Sequence, residues 1–162
     1  MWQELTTLWT SVRDPEYAHL LLESVPLYGL AFGLTFLVVA MVAGERKCRL
    51  LALVVICASC ASVWPYVDLR EKATPRILAT RDPAYHVLIQ DQTARRANTA
   101  WLFYLMAGVS GLAVLVGHKS GGKSFVLMTV VGSAALFWFS IWLHKKECEV
   151  YHRNIVRYVP PS

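Results

Sequence analysis

Four long stretches almost free of charge set the terms for this chain: Leu20–Ala43, Leu50–Val67, Thr99–Val116 and Phe125–Leu143. Each runs about 18 to 24 residues, and about 20 helical residues cross a hydrocarbon layer roughly 30 Å thick. Such a layer offers backbone N–H and C=O groups no partner, so a segment that crosses it is a helix or part of a closed barrel. The four stretches therefore predict an all-α fold, an integral membrane four-helix bundle. A soluble bundle would carry a polar stripe at a 3.6-residue period along each helix, and the last two stretches have none. Composition agrees: charged residues are 17% of the chain, against about 25% in ordinary soluble proteins. The 162 residues make one membrane domain.

One motif argues for something else. The run GHKSGGKS, Gly117 to Ser124, satisfies the phosphate-binding pattern G-x-x-x-x-G-K-S. A loop that cradles phosphate needs a strand before it and a helix after it. Here the run joins two predicted spans, where glycines suit a tight turn and Lys119 and Lys123 suit a headgroup surface. It predicts no nucleotide-binding residues and no nucleotide partner.

Four spans put both termini on one face, side A. That face holds eleven Lys/Arg and ten Asp/Glu, and the two short turns on side B, GERKCR and GHKSGGK, hold five Lys/Arg and one acid. Short, densely basic loops remain in the cytoplasm, and acids count for little in that rule. The expectation is a multi-pass protein of the bacterial inner (cytoplasmic) membrane with side B cytoplasmic and both termini outside. Excess basic residues lying beside lipid do not imply a nucleic acid partner.

Met1–Tyr17 lacks the basic start and apolar run of a cleavable signal peptide. Trp2, Leu5, Trp9 and Val12 fall near one helical face, predicting a short N-terminal interfacial helix. Asp14-Pro15-Glu16 then reads as a helix start, with Asp as N-cap and Pro at the first helical position. RDPEYAHLLL at Arg13 is echoed by RDPAYHVLIQ at Arg81. Either a helical hairpin was duplicated or two helices begin with the same capping chemistry; a helix register offset by about ten residues between the halves favours the second. The polar stretch Asp68–Asn98 is expected to form an extramembrane helical segment between helices 2 and 3.

In lipid, helices associate by close backbone approach at small residues. Gly29 and Gly33, Cys57 and Ala61, and Gly108 and Gly111 are the expected packing positions. Cys57-x-x-Cys60 has redox spacing, but it lies mid-membrane, where burial keeps thiols inert, and Cys48 and Cys148 belong to opposite faces. Trp64, Tyr66, Trp101, Tyr104, Trp138 and Trp142 fall near the side A ends of the spans and read as an interfacial aromatic belt.

Glu23 is the one acid inside an apolar stretch, and ionisable residues there are functional candidates. His19 lies one helical turn before it on the same face, and His86 and His144 reach the membrane at the same side. Three imidazoles and a carboxylate suit a transition metal or haem b, with the carboxylate orienting an imidazole. They suit better an interface where water and headgroups satisfy them, Glu23 snorkels outward and no cofactor binds, since histidine pairs that hold haem usually sit deeper in a bundle.

The runs HLLLESVPLYGLAFG from His19, SVWPYVDLREKA and RRANTAWLFY resemble an uncharacterised bacterial family of four-helix membrane proteins, a domain of unknown function often found near cytochromes. The family's first helix carries a motif similar to His-x4-His-x-Pro: His19 and Pro26 match, and Ser24 stands where the second His would be. Arg96-Ala97 matches the start of the third helix, with Thr93 and Arg95 in place of histidines. The end HKKECEVYH is similar to His-x-Gly-Gly-x-x-x-Tyr, with His144 and Tyr151 matching and Lys146 and Glu147 replacing the glycines.

The chain thus reads first as a non-catalytic inner-membrane subunit or accessory protein, of a respiratory or other redox membrane complex, whose partners are the lipid bilayer and other membrane subunits or a second copy. No complete catalytic constellation points to an enzyme. The alternative is a membrane cytochrome or metal-binding protein with a His/Glu site near the outer face.

Overall fold

The computed structural model describes residues 13–117 and 122–151; the expected interfacial helix at Trp2–Val12 and the chain beyond Tyr151 lie outside that range. Every regular element among the described residues is helical: α1 Pro15–Glu23, α2 Val25–Val42, α3 Arg46–Ala61, α4 Val63–Thr80, a short 3-10 turn Pro83–Tyr85, α5 His86–Val116 and α6 Lys123–Tyr151. Two of the breaks are internal to a span. Pro26 and Pro65 have no N–H to give the carbonyls of Leu22 and Ala61, so the helix bends there and resumes. Tyr28 N–H reaches Ser24 O at 3.0 Å and Tyr66 N–H reaches Ser62 O at 3.2 Å, carrying the chain across each bend. The result is four spans, α1–α2, α3–α4, α5 and α6, all long and apolar enough to cross a membrane.

Each span packs on its sequence neighbour, and α6 closes the ring against α2. This is an up-down-up-down bundle whose adjacent helices are antiparallel. Its surface is inverted relative to a soluble protein: Phe32, Phe36, Val42, Leu105, Leu115 and Trp138 point outward, and hydroxyls point in. Those hydroxyls bond back along their own helix, Ser59 to Val55 O at 2.7 Å, Ser110 to Met106 O, Thr129 to Phe125 O and Ser140 to Leu136 O each at 2.8 Å. These four are satisfied locally while the helices approach closely, whereas Ser133 Oγ is buried with no hydrogen-bond partner among the described residues. Leu30, Leu37, Ile56, Cys60 and Phe103 fill the interior between them.

The expected packing residues divide. A methyl at Gly29 would collide with the Ser59 side chain, and one at Gly33 would stand 2.6 Å from Ile56 Cγ1, so both glycines set the approach of α2 to α3. Cys57 donates to Ala107 O at 3.4 Å and lies 3.7 Å from where a Gly111 methyl would be. Gly108 has nothing within 4 Å of that position, and Ala61 is exposed, so these two face away from the bundle. Gly117 and Gly122 close the turn into α6: a methyl on Gly122 would run into Val116 O.

The helices outrun the expected spans at side A. With 31 residues, α5 is about 46 Å long, against about 30 Å of hydrocarbon. Asp68–Asn98 is helical as expected, but it is built from continuations of α4 and α5 around the turn at residues 81–85. Ala73, Ile77 and Ile89 form a small second core there, and Arg76 pairs with Asp14 at 2.9 Å, fastening α4 to the start of α1. The turn itself is capped by Asp82, whose side chain accepts from Ala84 N–H at 2.9 Å ahead of Pro83.

A buried arginine–glutamate cluster and an adjoining cleft

The inward stripe of each helix continues past the apolar stretch into charge. On α6 the buried positions run Thr129, Ser133, Leu136, Ser140, Leu143 and then Glu147. On α5 they run Ile89, Gln92, Arg96, Ala100 and Phe103, and on α4 Val63, Tyr66, Arg70, Ala73 and Ile77. Steps of three and four residues keep one helical face inward, so the packing that buries Leu143 also buries Glu147, at 2% exposure.

These groups meet at one level. Arg96 grips Glu147 with a two-pronged fork, Nε to Oε1 at 2.9 Å and Nη2 to Oε2 at 2.5 Å. Arg70 Nη1 donates to the same Oε1 at 2.7 Å and to Tyr66 Oη at 2.5 Å, and Tyr66 Oη donates to Oε1 at 3.3 Å. Arg70 Nε reaches Thr93 Oγ1 at 3.3 Å, and Gln92 Nε2 reaches Lys146 O at 3.1 Å. The Tyr66 ring lies 5.6 Å from the Arg96 Cζ and 5.9 Å from the Arg70 Cζ, within cation–π range. One carboxylate therefore ties α4, α5 and α6 together. A buried ion pair needs its remaining donors and acceptors satisfied, and the tyrosine, threonine and second guanidinium meet part of that need.

Tyr66 departs from the expected aromatic belt. Trp64 is 73% exposed, and Trp101, Trp138 and Trp142 also face outward, but Tyr66 is 1% exposed. Two residues of helix turn a side chain by about 200°, so Trp64 and Tyr66 cannot share a face. Sequence proximity to the membrane end put both in the belt; helical phase separates them.

Beside the cluster lies a cleft of about 340 Å³ lined by His19, Glu23, Arg70, Arg81, His144 and Glu147, with Leu20 and Ile77 as apolar wall. Glu23 comes from the end of α1, just before the Pro26 bend. Its Oε1 is 3.9 Å from His144 Nδ1, while His144 Nε2 faces the Cys148 thiol at 3.7 Å. Donor atoms of Glu23, His144 and Glu147 all lie within 4.8 Å of one another. His19 is buried, its Nδ1 donating to Pro15 O at 3.2 Å. His86 is separate: it is half-buried, with Nε2 3.1 Å from Arg81 O, beside the turn.

Of the expected candidates, His19, Glu23 and His144 share the cleft and His86 does not line it. Glu147, Arg70, Arg96 and Tyr66 were missed. The available signal was the 3–4 spacing that links each to a buried apolar residue one turn away. Haem does not fit these residues: a macrocycle needs a flat apolar slot between axial ligands, and this cleft has ionised walls above a filled bundle interior. A single ion placed among Glu23, His144 and Glu147 is sterically compatible. No family model, no curated protein and no solved structure matches the chain, so the likeness to a cytochrome-associated family rests on the quoted motifs alone.

Proposed function

We propose that the chain is a non-catalytic membrane subunit or accessory protein that works by association with other membrane protein. The observation that carries this reading is the division among its small residues. Gly29 and Gly33 are consumed in packing α2 on α3, whereas Gly108 and Ala61 are turned outward into open space. In lipid, an open small residue on a spanning helix is a place where another helix can approach closely. The side A cluster agrees, because Arg70, Arg96, Tyr66 and Glu147 are engaged with one another and brace the helices as a structural clamp would. The basic side B turns favour a cytoplasmic side B in a bacterial inner membrane, with the termini outside; a respiratory or other redox complex is the class of assembly to search first.

The test is site-directed cross-linking from position 108 in native membranes, with Gly108→Cys and a membrane-permeant thiol cross-linker. A defined adduct with a second membrane protein or a second copy, absent for a cysteine at the inward Gly33, is the expected result. A chain that stays unlinked in membranes and elutes as a lone monomer from mild detergent overturns the proposal. A reporter fused after Ser162 that is active only in the cytoplasm would overturn the orientation separately.

A further inference from the structure

We propose that Glu23, His144 and Glu147 form a binding site for one divalent first-row transition ion of the zinc class. The site has three parts that come from different places in the sequence. α6 contributes His144 and Glu147 three residues apart on one face, and α1 brings Glu23 to them because the chain bends at Pro26. Their donor atoms fall within 4.8 Å of one another at the wall of an open cleft. Two carboxylate oxygens and one imidazole nitrogen are a borderline donor set of the kind that holds zinc, with a fourth position left for a water from the cleft.

Bonds of about 2.0–2.1 Å in a tetrahedron put ligand atoms roughly 3.3 Å apart, so the three donors close in by about an ångström or more. His144 can make that movement, since its side chain is 50% exposed, and its Nδ1 already faces Glu23 at 3.9 Å. Glu147 has no need to move. Arg96, Arg70 and Tyr66 hold its carboxylate by hydrogen bonds, the kind of support that fixes a metal-ligating carboxylate in place. The two arginines offset the charges of Glu147 and Glu23, so the ligand set leaves the ion's own charge unmet, and the site is weaker than an all-anionic one. Since Nδ1 is the nitrogen aimed at the carboxylates, Nε2 stays with Cys148, and the thiol is outside the ligand set.

The experiment uses full-length protein in detergent, stripped with chelator and titrated with Co²⁺ as a spectroscopic probe and then Zn²⁺ as competitor. The expected result is one equivalent of Co²⁺ per chain with visible d–d absorption, displaced by Zn²⁺. Stoichiometric binding should be lost in His144→Ala and in Glu23→Gln and kept in Cys148→Ser. Helical circular dichroism and elution volume of each variant show that the bundle is intact. Binding that is absent in the parent protein, or that survives in either His144→Ala or Glu23→Gln, overturns the three-ligand site. Neither outcome bears on cross-linking from position 108, so the subunit proposal stands or falls on its own.

Discussion

At mid-span the helices meet through absence of side chain, Gly29 against Ser59 and Gly33 against Ile56; at the side A end they meet through Glu147 bridging Arg70 and Arg96. The first contact has no water to expel and gains only dispersion and close backbone fit. The second places three formal charges where the flanking residues are Leu143, Ala73 and Ala100, and it is stable only as a complete set. Close-packed glycine contacts tolerate small errors by local shifts, whereas a buried ion cluster has no intermediate state between satisfied and orphaned. The side A end is thus the part of the molecule where a single substitution should do the most harm, even though it lies beyond the apolar stretches that define the fold.

The sharpest way to break this comparison is to remove the shared carboxylate. Glu147→Ala removes the carboxylate that both buried guanidiniums hydrogen-bond, and breaking a buried pair costs about 3–5 kcal/mol. Unfolding in detergent, followed by circular dichroism against temperature or denaturant, should show that loss. Replacing the three charged members with apolar residues of like size, Arg70→Met, Arg96→Met and Glu147→Leu together, should recover most of it, because the charges then go together and the Tyr66 hydroxyl is the cluster member left without its partners. If the triple variant is as unstable as Glu147→Ala, the cluster contributes attraction in its own right and the account of its all-or-none character fails.

The mid-span contact should give a smaller effect. Gly29→Ala forces the Ser59 side chain or the α2–α3 spacing to shift, and overpacking of this sort costs about 1–3 kcal/mol. Pairing it with Ser59→Gly should relieve the penalty, since the collision is with that side chain. Gly108→Ala in the purified chain should fall within about 0.5 kcal/mol of the parent, as surface substitutions away from special features do. Measured side by side in the same detergent, equal losses at positions 29 and 108 would mean that the Gly108 face is covered in the purified protein.

Much of this architecture was legible before any coordinates. Length and apolarity alone give four spans; the bends at Pro26 and Pro65 were not read from the sequence, and Pro75 lies inside α4 without ending it. The span ends were not legible, because Asp68, Arg70, Arg95, Arg96 and Glu147 look like a chain leaving the membrane. Charge says where a helix ceases to suit lipid, but says nothing about where it ceases to be a helix or which way its side chains point. The site was half legible for the same reason. His19 and Glu23 are neighbours on one helix and can be paired by counting, whereas Arg96 and Glu147 are 51 residues apart and meet only through the ring order of the bundle. Lys145 and Lys146 beside Glu147 disguise it as one more residue of a solvated tail.

A smaller effect than that of Glu147→Ala falls on Tyr66, and it separates phase from proximity most cleanly. Its hydroxyl stands between Arg70 and Glu147, but Arg70 Nη1 also reaches Glu147 Oε1 directly at 2.7 Å. Tyr66→Phe therefore removes one acceptor and one donor while leaving every charge compensated, and the ring stays in place over the guanidiniums. Hydrogen bonds to charged groups are worth about 1.5–3 kcal/mol, so the expected shift is smaller than that caused by Glu147→Ala. Trp64→Phe, two residues earlier and exposed, should leave unfolding in detergent unchanged. A belt residue would behave the other way round, losing its effect in detergent and showing it in the bilayer, where its polar edge has a headgroup to meet. Equal stability of Tyr66→Phe and Trp64→Phe in detergent would return Tyr66 to the belt and leave the Arg70 Nη1 contact with Glu147 as the sole tie between α4 and that carboxylate.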